Sequence, residues 1–199
     1  EMLICPMKII AFVYTLFVRL LSKMKSLNMP ITSISVIACT AQQHGSVYMQ
    51  QKSKKSRVLL GKGPSWQDAT TKKECETIQK RVKTIVDITG NAVYERFSGP
   101  QIKKRIPRLK HIQNLRIHLI SSFVTEFMCT NNVAIDVTDG SGMNLMNIQT
   151  GRYDKACMQA VVEDSNVDLE VALGGQPKSP LEIAGHVAPW LQHLGLSSS

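Results

Sequence analysis

The sequence predicts an α/β fold, because stretches with strand character alternate with stretches of helical character. Residues 33–39 (SISVIAC) are β-branched and mostly apolar, which predicts a buried strand. Further along, apolar residues recur at three- and four-residue spacing and so share one helical face: Cys75, Ile78, Val82 and Ile85. Hydrophobic residues make up 43% of the 199 residues and charged residues 20%, an ordinary balance for one globular domain.

Residues 2–21 are apolar enough to raise the question of a membrane helix or a signal peptide. The uninterrupted apolar part lies between Lys8 and Arg19, which is well short of the ~20 residues that a spanning helix needs. No small-residue cleavage site follows it, so a signal peptide is also disfavoured. This stretch predicts a packed helix, and we expect no membrane partner.

The middle of the chain predicts a loop followed by a helix. Residues 50–63 are basic and flanked by glycine, which is typical of an exposed loop. Thr71 and Glu74 have the spacing of a capping box, so we expect the amphipathic helix to begin here. It should end near Gly90, where glycine can adopt the left-handed cap conformation.

The carboxy-terminal half predicts two strands and two helices, and a frayed Ser-Ser-Ser end. These elements are a strand at 115–120, a helix capped by Ser121 or Ser122 that runs through Met128, a strand at 143–148 and a helix at 153–162.

Charge is unevenly distributed along the chain, whose net charge is +9. Residues 1–125 carry 21 Lys and Arg against 6 Asp and Glu, whereas residues 126–199 carry 3 against 9. Such asymmetry can mark a nucleic-acid surface. The basic residues, however, fall in scattered pairs without aromatic residues between them, and no helix-turn-helix, RRM or zinc pattern occurs. We therefore interpret the asymmetry as two solvated faces and expect no nucleic-acid partner.

The five cysteines do not form a pattern that predicts a metal site or a disulfide framework. They are far apart, odd in number and never in a CxxC pair: Cys5, Cys39, Cys75, Cys129 and Cys157. The sequence therefore predicts reduced thiols, a cytoplasmic location and no metal ligands.

Three polar, glycine-containing runs stand out: residues 41–48 (AQQHGSVY), 93–102 (VYERFSGPQI) and 135–145 (IDVTDGSGMNL). Together they resemble the amino-terminal, sugar-binding domain of xylulose kinases, the animal-type branch of the FGGY carbohydrate kinases. The resemblance extends over about residues 21–194. It implies that residues 1–199 form an incomplete ribonuclease-H-like (actin-ATPase-type) domain, a mixed sheet flanked by helices.

By this resemblance, His44 and Arg96 bind the ketose. An imidazole can both donate and accept a hydrogen bond, and a guanidinium offers five fixed donors to neighbouring oxygens. The resemblance also places Gln43, Trp66 and Asp68 as candidates for the sugar pocket. For Asp68, a helix cap is the alternative.

The sequence also allows predictions for four further residues of these runs. Glu95 is expected to orient Arg96. Pro100 stands where the family has asparagine. Proline lacks an amide hydrogen and restricts the conformation of the preceding residue, so we expect it to affect the geometry of the loop next to Arg96. Asp136 and Asp139 do not fit the EF-hand spacing and receive no catalytic role. Their carboxylates are expected to accept backbone amides of the turn at 140–142.

The resemblance implies part of an ATP-dependent kinase that converts D-xylulose to D-xylulose 5-phosphate, with ATP and Mg²⁺ serving the complete enzyme. The family's phosphate-binding glycine turn would precede Glu1, its catalytic aspartate would follow the matched region, and its nucleotide-binding domain is absent from this sequence. We therefore assign no catalytic residue and expect the chain alone to bind no ATP and to be inactive. The second hypothesis is a non-catalytic truncated relative, a pseudo-enzyme or binding remnant. Missing strands would leave sheet edges open, which a protein partner could cover.

Overall fold

The computed structural model describes residues 2–53, 56–129, 131–163 and 165–197 of the protein. Helices and strands alternate along these residues, which confirms the α/β class. The helices are α1 Pro6–Ser26, α2 Lys72–Arg81, α3 Ile85–Thr89, α4 Ser98–Leu109, α5 Ile120–Met128, α6 Val137–Ser141, α7 Lys155–Val162, α8 Leu169–Ala172 and α9 Pro189–His193, with a 3-10 helix at Ile31–Ser33. The strands are β1 Leu3–Ile4, β2 Ser46–Gln51, β3 Arg57–Leu59, β4 Gly63–Pro64, β5 Leu115–Leu119, β6 Met146–Asn147 and β7 Arg152–Tyr153.

A three-stranded sheet in the order β3-β2-β5 forms the centre of the fold. Both pairings are antiparallel, with Val47 opposite His118 and Gln50 opposite Val58. All residues of β5 and the first four residues of β2 are buried, so both faces of this sheet are covered. Two shorter antiparallel ladders, β1 with β4 and β6 with β7, lie outside it.

Apolar side chains form two core clusters that divide β2 between them. Tyr48 belongs to the cluster that contains buried residues of α2, α3, α4, α7 and α8. Its neighbours Val47 and Met49 belong to the other cluster, with buried residues of α1, α5 and α9. Because successive strand side chains point to opposite faces, the helices pack on both sides of the sheet.

The strand predicted at residues 33–39 is wrong. Ser33 ends the 3-10 helix, and from Ser35 to Gln42 no backbone group is hydrogen-bonded to the backbone of another described residue. A strand requires a neighbouring strand, and none of the described strands lies beside this segment. The strand begins instead at Ser46, so the Gln-Gln-His-Gly turn precedes β2.

The exposed loop predicted at residues 50–63 is right only in part, because β2 and β3 form a hairpin there; among the described residues, 52–53, 56 and 60–62 lie outside the strands. Gln50 pairs with Val58, and the chain then returns towards β2 through β4. A Cβ at Gly63 would lie 1.7 Å from the carbonyl oxygen of Ser46, so this close approach requires glycine. Residues 54 and 55 of the predicted loop lie outside the described residues.

The helix predicted from Thr71 begins there but divides in two. α2 ends at Arg81 and α3 begins at Ile85, with the non-helical Val82 (φ −120°, ψ 84°) between them. Gly90 ends α3 in the left-handed conformation (φ 73°), as predicted. The capping box does not form, because the Thr71 hydroxyl donates a hydrogen bond to a distant backbone carbonyl.

The predicted strand and helix in the 115–128 region are confirmed as β5 and α5, but their junction differs. Leu119 occupies the N-cap position, and neither Ser121 nor Ser122 caps the helix. The strand predicted at 143–148 is limited to β6, and the helix predicted at 153–162 is confirmed as α7. The last two serines lie outside the described residues.

α1 confirms the packed helix predicted for residues 2–21. Leu21 is 2% exposed, and Val13 and Phe17 pack from the same side of the helix against the second core cluster. Among the described residues, no helix is both long and apolar enough to cross a membrane.

Candidate functional site

His44 lies in the turn that leads into β2, with a positive φ of 66°. Residues other than glycine seldom adopt this conformation, which costs free energy and is often found at functional sites. The imidazole ring lies against Phe97, with ring centroids 4.8 Å apart and planes inclined by 34°. Burial lowers the pKa of His44, so the ring is neutral at pH 7 and carries one donor and one acceptor.

Arg96 lies in the turn before α4, with its guanidinium over the indole ring of Trp66. Its Cζ is 5.7 Å from the ring centroid, within the range of a cation–π interaction. Its Nε is buried and has no hydrogen-bond partner among the described residues. Because an unsatisfied buried donor is costly, an oxygen of a ligand would be stabilised at this position.

The third run, residues 135–145, packs against both of the others. The amide of Gly99 donates to the carbonyl oxygen of Met143 (2.9 Å), and a Cβ at Gly99 would lie 2.5 Å from that oxygen. A Cβ at Gly142 would lie 3.0 Å from Cε1 of His44. These close approaches explain the glycines of both runs.

The structure therefore brings the three runs together at one place. His44, from the first run, contacts Phe97 of the second run and Gly142 of the third. Arg96 directly precedes Phe97 in the chain, so the two side chains predicted to bind sugar come from segments in contact with each other.

Asp68 is 1% exposed and does not cap α2, whose N-cap residue is Thr71. Its Oδ1 accepts hydrogen bonds from the amide (3.0 Å) and the hydroxyl (2.5 Å) of Thr70. Its Oδ2 is buried and has no partner among the described residues. Trp66 remains 42% exposed and is therefore accessible as one wall of a site.

Gln101, a residue that the sequence did not single out, ties these segments together. Its Nε2 donates to the carbonyl oxygens of Asp68 (2.7 Å) and Glu95 (3.0 Å), and the side chain is fully buried. Ser98 was also missed; it is fully buried, and its hydroxyl has no partner among the described residues. A sequence signal for both exists. They are polar residues in the first turn of a helix, and the residue that follows Gln101, Ile102, belongs to the hydrophobic core, so this end of the helix is buried.

Three other predicted residues contribute less than expected. Gln43 is exposed, and its described contact is its carbonyl oxygen, which accepts the amide of Gly45 (2.8 Å). The carboxylate of Glu95 forms no ion pair with Arg96 in the described structure, so the prediction that it orients Arg96 is not supported by contact. Pro100 lies in the first turn of α4, where amides have no partner within the helix, and it leaves the helix intact.

The two aspartates of the third run have structural partners. Asp136 caps α6 by accepting the amides of Thr138 (2.8 Å) and Asp139 (3.0 Å). The carboxylate of Asp139 accepts the hydroxyl of Ser121 instead, and burial raises the pKa of Asp139. The prediction that both carboxylates accept amides of the turn at 140–142 is therefore wrong: Asp136 accepts backbone amides, but from the residues just before that turn, and Asp139 accepts a hydroxyl.

Two open cavities lie away from this cluster. One, of about 240 Å³, is lined by residues of α2, α4 and α7, and the other, of about 490 Å³, by residues of α7 and α8 and the adjoining loops. His44 and Arg96 line neither of them. The three meeting runs define the candidate site through their contacts and unsatisfied polar atoms instead.

Residues 5–167 match the amino-terminal domain of the FGGY family of carbohydrate kinases. The chain belongs to this family. The match begins upstream of residue 21 and so includes α1, and it contains all three runs.

Xylulose kinases are among the similar proteins. The chain is 31% identical over 168 residues to the xylulose kinase of Schizosaccharomyces pombe, covering 74% of this chain and 30% of that protein. It is 32% identical over 181 residues to xylulose kinase 2 of Arabidopsis thaliana, covering 79% of this chain and 31% of that protein. It is 30% identical over 192 residues to the mouse xylulose kinase, covering 86% and 34%. The chain thus spans about a third of the length of these relatives.

Solved structures of FGGY kinases share the fold of this chain. A gluconate kinase from Lactobacillus acidophilus superimposes with a TM-score of 0.76 at 16% identity, covering 97% of this chain and 37% of that one. A ligand-bound xylulose kinase from the same organism gives 0.74 at 16% identity, with the same coverage. Plasmodium falciparum glycerol kinase with ADP gives 0.73 at 18% identity, covering 95% and 37%. The predicted actin-ATPase-type fold is confirmed.

Proposed function

We propose that this chain supplies the sugar-binding half of an ATP-dependent kinase that phosphorylates D-xylulose to D-xylulose 5-phosphate. The observation that carries the proposal is the meeting of the three polar runs around His44 and Phe97, with Arg96 on the adjoining segment. The relatives named xylulose kinase support the choice of sugar.

The two side chains offer complementary chemistry to a ketopentose. A neutral imidazole at His44 donates to one hydroxyl and accepts from another. Arg96 presents several donors in one plane, and its free Nε suits a hydroxyl or keto oxygen. Trp66 fixes the guanidinium plane and supplies an apolar wall. Gln43 and Asp68 complete the proposed pocket, Asp68 through its unpartnered Oδ2.

We further propose that the 199-residue chain binds sugar without phosphorylating it. Phosphoryl transfer depends on a base that accepts the hydroxyl proton and on groups that hold the phosphates of ATP. Asp136 and Asp139 are engaged in structural hydrogen bonds, so we assign neither as the base. The described residues contain no group of three or more His, Cys, Asp or Glu that could hold a metal ion.

A cytoplasmic location is part of this proposal. All five cysteines are free thiols, which suits a reducing compartment.

Calorimetric titration with D-xylulose tests the site. We expect weak, saturable binding by the chain and at least about ten-fold weaker binding by His44→Ala and by Arg96→Ala, because each loses hydrogen bonds to the sugar. The exposed residues His186 and Arg152 provide matched controls, since His186→Ala and Arg152→Ala should bind as the unaltered chain does. Equal affinities in all five proteins would refute the site.

The alternative function is a non-catalytic relative that retains the sugar site as a binding remnant. It is favoured by Pro100, which departs from the family pattern beside Arg96, and by the basic residues between positions 52 and 57. A coupled assay with ATP and D-xylulose tests the inactivity that both hypotheses share, and sugar-dependent turnover by the purified chain would contradict it. The same assay on a longer polypeptide that contains this sequence separates the two, because only a kinase would then turn over.

A further inference from the structure

The side chain of Gln101 connects the two backbone segments that carry Trp66 and Arg96. Its Nε2 donates to the carbonyl oxygen of Asp68 (2.7 Å), two residues after Trp66, and to that of Glu95 (3.0 Å), directly before Arg96. The guanidinium of Arg96 lies over the Trp66 ring at this point, with Cζ 5.7 Å from the ring centroid. One amide group therefore holds side by side the two segments whose side chains form the cation–π pair.

The orientation of the Gln101 amide is fixed by its oxygen. Oε1 accepts a hydrogen bond from Nη1 of Arg105 (3.4 Å), whose guanidinium lies over the ring of Tyr48 with Cζ 5.7 Å from the ring centroid. Tyr48 belongs to β2 and is 4% exposed, so this series of contacts anchors the amide to the central sheet. A side-chain amide nitrogen has two donors, and in Gln101 both are directed at the carbonyls of the two segments.

The two carbonyls depend on Gln101 to different degrees. The carbonyl of Glu95 also accepts the hydroxyl of Thr71, so it would keep one partner if the Gln101 amide were removed. The carbonyl of Asp68 would lose the donor that Gln101 supplies, and an unsatisfied buried acceptor is costly. An apolar side chain at position 101 should therefore release the segment that carries Trp66 and separate the indole ring from the guanidinium of Arg96.

We propose that Gln101 is a positioning residue that sets the affinity of the site for sugar by holding Arg96 over Trp66, a role that rests on the proposed function. Gln101 is fully buried, so it acts through these two side chains and not by contact with the sugar. A guanidinium presents its donors in one fixed plane. Hydrogen bonds weaken steeply as they depart from linear geometry, so a small displacement of that plane weakens several bonds to the sugar at once.

The indole N–H signals in nuclear magnetic resonance spectra test this positioning without any sugar. The chain contains two tryptophans, Trp66 and Trp190, and Trp66→Phe identifies their signals. Gln101→Met keeps a long, unbranched side chain but removes both donors. It should move the Trp66 signal towards its position in Arg96→Ala and leave unchanged the signal of Trp190, which packs against the second core cluster. An unmoved Trp66 signal would overturn the proposal, as would equal movement of both signals, which would indicate a general loss of structure.

Calorimetric titration with D-xylulose extends the test to affinity. Gln101→Met should weaken binding about ten-fold. In the Arg96→Ala background it should weaken binding by less than about two-fold, because a residue that acts through Arg96 then has nothing to position. Gln176→Met is the matched control: Oε1 of Gln176 accepts the amide of Tyr153 (2.9 Å) elsewhere in the fold, so this variant should bind as the unaltered chain does. Fully additive effects of Gln101→Met and Arg96→Ala would overturn the proposal. If the unaltered chain binds no sugar, the proposed function fails, and the Trp66 signal alone decides whether Gln101 holds Arg96.

Discussion

Glu126 is the carboxylate of a buried ion network, and its replacement by glutamine tests how the central sheet is held to α5. Its side chain is 2% exposed, with Oε1 2.7 Å from Nε of Arg57 and Oε2 3.4 Å from Nη2 of Arg116. Oε2 also accepts the amide of Val133 (2.8 Å). The partners come from β3, β5 and the loop after α5, so one carboxylate joins three parts of the chain.

The expected cost follows from the burial of the two arginines. Removing one partner of a buried ion pair typically costs about 3–5 kcal/mol, because it leaves the other charge uncompensated. The Arg116 side chain is 7% exposed, whereas that of Arg57 is 23% exposed and keeps contact with water. We therefore expect Glu126→Gln to lower the free energy of unfolding by about 3 kcal/mol, the lower end of this range. That is a large part of the ~5–15 kcal/mol that stabilises a typical domain.

Urea denaturation followed by circular dichroism measures this change. Glu182→Gln is the matched control, since the Glu182 pair with Lys178 (3.7 Å) is exposed and should contribute at most about 1 kcal/mol. Adding Arg57→Gln to Glu126→Gln should restore part of the loss, because it removes one uncompensated cation. A loss below about 1 kcal/mol without any such recovery would refute the view that the network holds the sheet to α5.

Three further predictions concern pH and packing. Burial, followed by repulsion from two nearby arginines, lowers the pKa of His118 to about 3. Since an unfolded histidine has a pKa near 6.5, the folded protein should be fully stabilised above about pH 6.5 and lose up to about 1.4 kcal/mol per unit as the pH falls towards 3. Urea midpoints across this range should show that slope, and His118→Leu should flatten it; an equal slope in both proteins would contradict the assignment. Gly99→Ala should cost about 1–3 kcal/mol, because its Cβ would lie 2.5 Å from a carbonyl oxygen, whereas Gly140→Ala, with its nearest contact at 3.4 Å, should be nearly neutral in thermal unfolding. Equal melting temperatures for these variants would count against the close contact. If His44 binds the sugar as a neutral ring, calorimetric affinity for D-xylulose should stay constant above the ordinary histidine pKa of about 6.5 and fall only on acidification below it, since burial lowers the pKa of His44; an affinity that rises on acidification would exclude that role.

Helices whose apolar spacing and terminal residues lie within a short stretch of sequence could be predicted, whereas contacts between distant segments could not. The apolar spacing around Cys75 and Ile78 and the left-handed Gly90 depend on neighbouring residues, and both predictions are confirmed. The capping box at Thr71 was wrong because a carbonyl 24 positions away in the chain, that of Glu95, competes for the hydroxyl. No local pattern contains that competitor.

In the candidate site, too, some features could be predicted from the sequence and others arise only from packing. The polar runs that contain His44 and Arg96 were visible because polar, glycine-rich stretches interrupt an otherwise periodic sequence. The roles of Gln101 and Ser98 were not visible, since burial and missing partners are properties of the packed molecule. The carboxylate of Asp139 likewise binds a hydroxyl of α5 rather than the turn beside it.

The sequence by itself determined the α/β class and the segments that carry polar chemistry, because both follow from the types of residue within a short window. Only the tertiary structure decided which stretch became a strand: SISVIAC has the composition of a strand but no neighbour among the described strands, whereas residues 46–51 have neighbours on both sides. The physical reason is that a strand is stabilised by hydrogen bonds to other strands, and those partners lie far away in the sequence.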